Sequence, residues 1–239
     1  MNKDELHQWL KAFGYAALIF AFFSIYLYLR REIFNLYVLN KVFGSTAAVL
    51  GGITLLVGPL FKRFPYFAHF MGIRRELGLT AFGLAIAHIT ASLILQNKFP
   101  FPSWYLKELT PIIFGISAIL LWFYMAYISR SGQIKQLGAD VWKKRLSLSG
   151  KIAFLAIFLH LVILKYQGWT TWFKGQTKQT PELANPSYPP ASLFVFVIML
   201  VVIIYRFIND FLHRNNYKEN NLNQSPQNKQ ESQQGPTLN

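Results

Sequence analysis

The sequence predicts an all-α polytopic membrane protein, a bundle of six transmembrane helices. Three observations predict it. Six separate apolar runs are each long enough, at roughly twenty residues, to cross a hydrocarbon core of about 30 Å as a helix. Of the 239 residues, 53% are hydrophobic and 17% aromatic, more than water-soluble domains carry. The basic residues sit at the ends of the apolar runs instead of gathering in one tail.

The first run spans 12–29, after a short polar N-terminal segment, 1–11. It ends in Tyr26-Leu27-Tyr28-Leu29-Arg30-Arg31 with no small-residue cleavage site, so it reads as an anchor and not as a signal peptide. The second spans 42–61 and carries Gly44, Gly51, Gly52 and Gly58, small residues that let helices approach closely in lipid. Pro59 is expected to bend or close it. The third runs over 77–96, behind the charged anchor Arg74-Arg75-Glu76, and the fourth over 109–129. The fifth, 146–164, contains Lys151 near one end, where a lysine can snorkel to the headgroups. The sixth, 191–208, is introduced by Pro189-Pro190. The loop 165–190 is the longest; its Trp169 and Trp172 read most simply as an interfacial belt, with a partner-docking surface as the sharper alternative. The polar stretch 209–239 is expected to be a cytoplasmic tail, disordered from 215 onward where Asn and Gln dominate.

Six spans put both termini on one side. With the N-terminus inside, 15 Lys and Arg residues fall on the inner side and 8 on the outer, which places both termini in the cytoplasm and the chain in an inner (plasma) membrane. The net charge of +14 is accounted for by this flanking pattern, and the tail after Asn209 is balanced, so nucleic acid is excluded as a partner and membrane lipid is the expected one. With no cysteine, the chain has no disulfide, no thiolate-held cluster and no thiol redox chemistry.

Two spans carry an imidazole, His88 in the third and His160 in the fifth. An ionisable side chain in lipid is costly without a partner and marks a functional candidate. His88 lies 13 residues beyond Arg75 and His160 lies 13 beyond Ser147, so each stands about 20 Å above the inner end of its helix. Two imidazoles at one depth on helices of one direction can face each other in the outer half of the bundle, which is what bis-imidazole ligation of haem iron requires. Below His88 on its own face stand Ala85 and Ala81, and below His160 stand Ala156 and Ala153. Ordinary small-residue packing explains the alanines; it does not explain the matched histidines.

Several motifs add to this reading: Gly58-Pro59-Leu60 closing the second span, Arg74-Arg75-Glu76-Leu77-Gly78-Leu79 followed by His88, and Leu137-Gly138 with Trp142 before a span that ends Leu159-His160. Over about 44–208 the chain thereby resembles the ferric-reductase-like transmembrane domain family, and within it the haem-binding membrane subunit of bacterial periplasmic methionine-sulfoxide reductase systems. The resemblance implies a six-helix bundle that holds one haem b in the outer half of the bilayer, with His88 and His160 as axial ligands of the iron, and passes electrons across the membrane to an outer acceptor, such as a partner protein. Related chains often carry a further histidine where this one has Ser147, and the matching inner position of the third span is Arg75, so a second, inner haem is not expected. Longer relatives append a flavin and nicotinamide domain; here electrons are expected from a separate donor, a flavin reductase, a bound flavin or the quinone pool. Arg74 and Arg75 are then candidates to hold a haem propionate, a flavin phosphate or a redox partner, with topology anchoring as the plainer role. His69, between the second and third spans, either faces the donor or is a solvated loop histidine; His7 and His213 lie outside the spans.

Three functions compete on these residues. The first is an electron-transfer cytochrome b. The second is a small proton-coupled transporter with the histidines as a relay, against which stand the lack of an intraspan carboxylate and of an inverted repeat. The third is a cofactor-free membrane scaffold of the same fold.

Overall fold

The computed structural model describes residues 3–96 and 108–223. Their secondary structure is helical, with one isolated β-bridge between Thr180 and Leu183. The helices are α1 (Lys3–Arg31), α2 (Leu36–Arg63), α3 (Ala68–Met71), α4 (Arg74–Gln96), α5 (Leu109–Ile128), α6 (Ser131–Leu137), α7 (Ala139–Phe173) and α8 (Ala191–Asn223), with a single 3-10 turn at Pro65–Phe67 before α3. Six of them, all but α3 and α6, are long and apolar enough to cross a membrane, so the chain is built as an integral membrane protein. Below, the end of the bundle that holds the start of α1 is the amino-terminal face, and the end with the α1–α2 turn is the opposite face.

The second span is the axis. In α2, 61% of the apolar window is buried within the bundle, against 17–22% for the other five. Its glycines explain how it can be surrounded. A Cβ on Gly51 would meet Trp122 at 3.0 Å, and one on Gly52 would meet Val202 at 3.2 Å and Phe154 at 3.3 Å, so α5, α7 and α8 all close on this stretch. One apolar cluster joins α1, α2, α7 and α8 through Phe23, Leu27, Val42, Phe154, Val195 and Met199. A second joins α1, α2 and α4 through Ala12, Ala16, Leu50, Leu77 and Ala81. The outward faces are covered in exposed Leu, Ile and Phe, which water would not tolerate in such number but lipid does.

Several helices overrun the apolar stretches. α1 begins at Lys3, where Asp4 and Glu5 complement the positive end of the helix dipole. α7 has 35 residues, about 52 Å of rise, and ends at Phe173 beyond the expected 164. α8 runs on to Asn223, so 215–223 is helix and not the disordered tail its composition suggested. Extending an existing helix adds one backbone bond per residue without a new nucleation cost, so a polar sequence can follow an apolar one. Pro59 lies inside α2, which continues to Arg63 before the backbone N–H of Phe64 closes it on Leu60.

The connections are specific. Gly138 between α6 and α7 has φ 76°, a conformation that costs glycine little, and four residues on the Trp142 indole N–H donates to Ile128 O at 2.9 Å. On the opposite face, the segment after α7 folds back over the end of α1. Asn185 donates from its backbone to Arg30 O and from its side chain to Leu29 O, Arg30 Nε donates to Tyr188 O, and Tyr26 Oη to Pro189 O. The two tryptophans expected to form a belt serve this fold-back: Trp169 is buried with its indole N–H on Ser192 Oγ, and Trp172 donates to Ser187 O. Lys151 does not simply snorkel; it pairs with Asp210 of α8 at 2.5 Å, and Arg206 approaches the same carboxylate at 3.7 Å.

Candidate cofactor site at the histidine pair

The two most closely packed helix pairs are α2 with α4 and α5 with α7, and each contains one of the histidines. The same local device recurs in both. The His88 ring Nδ1 lies 3.0 Å from Asn40 O on α2, and the His160 ring Nδ1 lies 2.7 Å from Pro111 O on α5. A carbonyl oxygen only accepts, so each Nδ1 carries the proton and each Nε2 presents a lone pair. Neither Nε2 hydrogen-bonds to a described residue.

One turn further along each partner helix is a glycine under the ring. A Cβ on Gly44 would stand 3.0 Å from the Nδ1 of His88, and one on Gly115 would stand 3.1 Å from the Nδ1 of His160. Contacts that short are seldom made by a real Cβ, so glycine is what lets each imidazole approach the neighbouring backbone so closely. The carbonyls lie within the first two turns of α2 and α5, both of which start at the opposite face, so both imidazoles sit near that end of the bundle. Pro111 suits its place, because the N–H it lacks falls among the first donors of α5, which have no helical partner. Asn40 is also fastened to α4: its side chain donates to Ser92 Oγ at 2.9 Å, and Ser92 Oγ donates back to His88 O at 2.8 Å.

The carbonyl–histidine separations, 48 and 49 residues, mark two hairpins of the same sense and not an inverted pair. The two imidazoles are close enough to act on each other electrostatically. Two nitrogen donors are too few for a protein-held zinc or copper ion, and no group of three or more His, Cys, Asp or Glu residues converges among the described residues. They are the right number for an iron that brings four nitrogens of its own. Second-sphere carbonyls on Nδ1 are what metal-ligating histidines generally have. The residues present therefore fit a haem.

The alanine columns do different work. Ala81 is packed into the α1–α2–α4 cluster, and Ala153 and Ala156 are buried, so these residues serve helix contact. Further toward the amino-terminal face the bundle closes. Gly150 is buried with Leu55 at 3.3 Å and Met125 at 3.6 Å from where its Cβ would be. Ser147 lies three residues from this contact, and Arg75 is largely exposed with a loose 3.6 Å pair to Glu76.

Arg74 and Arg75 are not brought to the histidines. Fourteen residues separate Arg74 from His88, about 21 Å along α4. Arg74 Nε donates to Thr54 O at 2.9 Å, beside the Leu55 carbonyl that Pro59 leaves without its helical donor. His69 is exposed on α3, with Nδ1 against Tyr66 O at 2.9 Å and its ring 4.0 Å from that of Phe70. His7 is exposed on α1; His213 falls within α8.

The sequence marked Gly44 as a residue of close helix approach, which it is, but not as the seat of His88, and Asn40, Pro111 and Gly115 were missed. The recurrent signal was present as a residue and a glycine four apart, each about 48 positions before a histidine. It is weak, because glycine and proline have many other uses in membrane helices. A scan of the chain against known protein families finds no match.

Proposed function

We propose that this chain is a haem-b electron-transfer protein of the plasma membrane, with His88 and His160 as the axial ligands, passing electrons from a donor on the cytoplasmic side to an acceptor outside. The observation that carries the reading is the pair of imidazoles, each with Nδ1–H tied to a backbone carbonyl, each seated on a glycine and each with Nε2 unengaged. Haem, when bound, supplies reversible one-electron chemistry at iron. The chain's own residues hold and orient it. The carbonyls of Asn40 and Pro111 fix ring rotation and raise imidazole basicity, and the apolar helices keep water from the metal. With both imidazoles held to it, the haem would transfer electrons and would not activate oxygen. The Lys and Arg distribution supports cytoplasmic termini, with the histidines then in the outer half. The donor is a separate flavin reductase or the quinone pool, and Arg74 and Arg75 lie on the side where it would act. The resemblance to ferric-reductase-like membrane domains supports the same assignment.

The test is optical. The purified, dithionite-reduced protein should show the sharp α-band of a low-spin b-type cytochrome and bind carbon monoxide poorly. His88→Ala and His160→Ala should each abolish or convert that spectrum, and His69→Ala should leave it intact. Both histidine variants keeping a normal low-spin band would refute the assignment. A wild-type protein that folds but binds no haem would favour the scaffold, and one that moves protons or a solute without haem would favour the transporter.

A further inference from the structure

Three cations from three helices gather toward the opposite face, the end of the bundle that also holds the histidine pair. Lys165 lies within electrostatic range of both imidazoles, and Arg31 and Lys41 lie within range of Lys165 and of each other. By helix rise, Lys165 is about 7.5 Å beyond His160 toward the opposite face, and Lys41 about 4.5 Å beyond Gly44 in the same direction. Arg31 is buried at 7% exposure, and its Nε is buried without a partner although its terminal nitrogen donates to Glu182 O at 2.9 Å. Arg31 and Lys41 both lie against the Tyr37 ring, at 4.9 and 4.1 Å from its centroid. Neither lysine makes a hydrogen bond or an ion pair with a described residue. The carboxylates of Glu108 and Glu182 act on the cluster from a distance, and neither forms an ion pair with it.

A chain with no use for an anion here has reason to avoid this arrangement. Mutually repelling charges on half-buried positions of membrane helices are unfavourable unless something negative joins them. Lys165 stays within electrostatic reach of histidines on two different helices. We propose that Arg31, Lys41 and Lys165 form an anion pocket for the two propionate carboxylates of the haem, fixing which edge of the macrocycle points to the opposite face. This rests on the haem reading above.

The experiment uses the full-length chain, produced without haem and loaded in detergent with either iron protoporphyrin IX or its dimethyl ester, whose carboxylates are blocked. Haem loss to apomyoglobin and the midpoint potential are measured. In Lys41→Met/Lys165→Met the low-spin spectrum persists, but natural haem leaves roughly tenfold faster or more, the scale of one lost charge-assisted contact. The potential falls, because unneutralised carboxylates favour the ferric ion. The dimethyl ester leaves wild type as fast as natural haem leaves the double variant, and it is indifferent to the lysines. Lys41→Arg/Lys165→Arg restores wild-type retention. Equal acceleration for both porphyrins, or none for either, overturns the pocket while leaving the histidine ligation standing. Absence of any b-type spectrum in wild type removes the haem reading and this pocket's occupant together.

Discussion

At the scale of single residues, the site depends on what glycine omits. Each imidazole comes this close to a helix backbone because Gly44 and Gly115 have no Cβ. Gly44→Ala and Gly115→Ala would each push a ring outward by a few tenths of an ångström and strain its bond to the carbonyl. Helix propensity runs the other way, since alanine is favoured over glycine by about 1 kcal/mol. The expected outcome is a protein that stays folded by circular dichroism but loses haem or shifts toward high spin, checked by absorbance and paramagnetic resonance. An unchanged low-spin haem in both variants would contradict it. Ser147→His is the complementary case. The matching inner position of α4 is Arg75 and not a second histidine, and the helices close around Gly150 three residues on, so the haem-to-protein ratio by pyridine haemochromogen should not rise.

At the scale of elements, magnitudes separate two sets of contacts on the last helices. The Lys151–Asp210 pair is short, but its partners are 37% and 43% exposed, and an exposed ion pair contributes at most about 1 kcal/mol. Asp210→Asn should therefore lower the thermal midpoint by only a degree or two. The fold-back between α7 and α8 is different. Asn185 alone ties three groups at the end of α1: Leu29 O, Arg30 O and the Glu32 carboxylate, the last at 3.2 Å. Glu32 is held there with φ 56°, the left-handed turn that ends a helix. Asn185→Ala removes the two side-chain bonds, a loss of about 1–3 kcal/mol. It should open the 174–190 segment to protease at concentrations that leave wild type intact. Equal cleavage of both would show that the segment is held by other contacts.

At the scale of the whole molecule, the arrangement has two ends with different tasks. The histidine pair and the three cations lie toward one face; Arg74, Arg75, His69 and the Lys151–Asp210 pair lie toward the other. Cytoplasmic termini, as the basic residues direct, require a reporter after Asn239 to read inside and one within 176–186 to read outside. The reverse pattern would move the proposed haem to the inner half and invert the direction of electron flow. The purified chain should not oxidise NADH or NADPH unaided, and an added flavin reductase or a quinol should restore haem reduction. Rapid reduction by NADPH with nothing added would show a dinucleotide site in this chain.

The six spans, their order and the two intramembrane histidines could be read directly from the sequence. Hydropathy depends on composition over about twenty residues, and a lone ionisable group in such a run is conspicuous. Helix ends were less legible: α7 and α8 overrun their apolar cores because continuing a helix costs little, which hydropathy does not record. The partners of the histidines could not be read at all. Nothing local to Asn40 or Pro111 says that its carbonyl will meet a ring 48 or 49 residues away, or that Gly44 and Gly115 make the room. Ala81, Ala153 and Ala156 are buried in the bundle, in keeping with the ordinary small-residue packing the sequence allowed for them. Arg31, Lys41 and Lys165 read as flanking charges on three separate spans, and only the packing of α1, α2 and α7 joins them. Span identity follows from transfer free energies that add along the chain. Side-chain meetings follow from how helices rotate and cross, which is decided by close packing over the whole bundle.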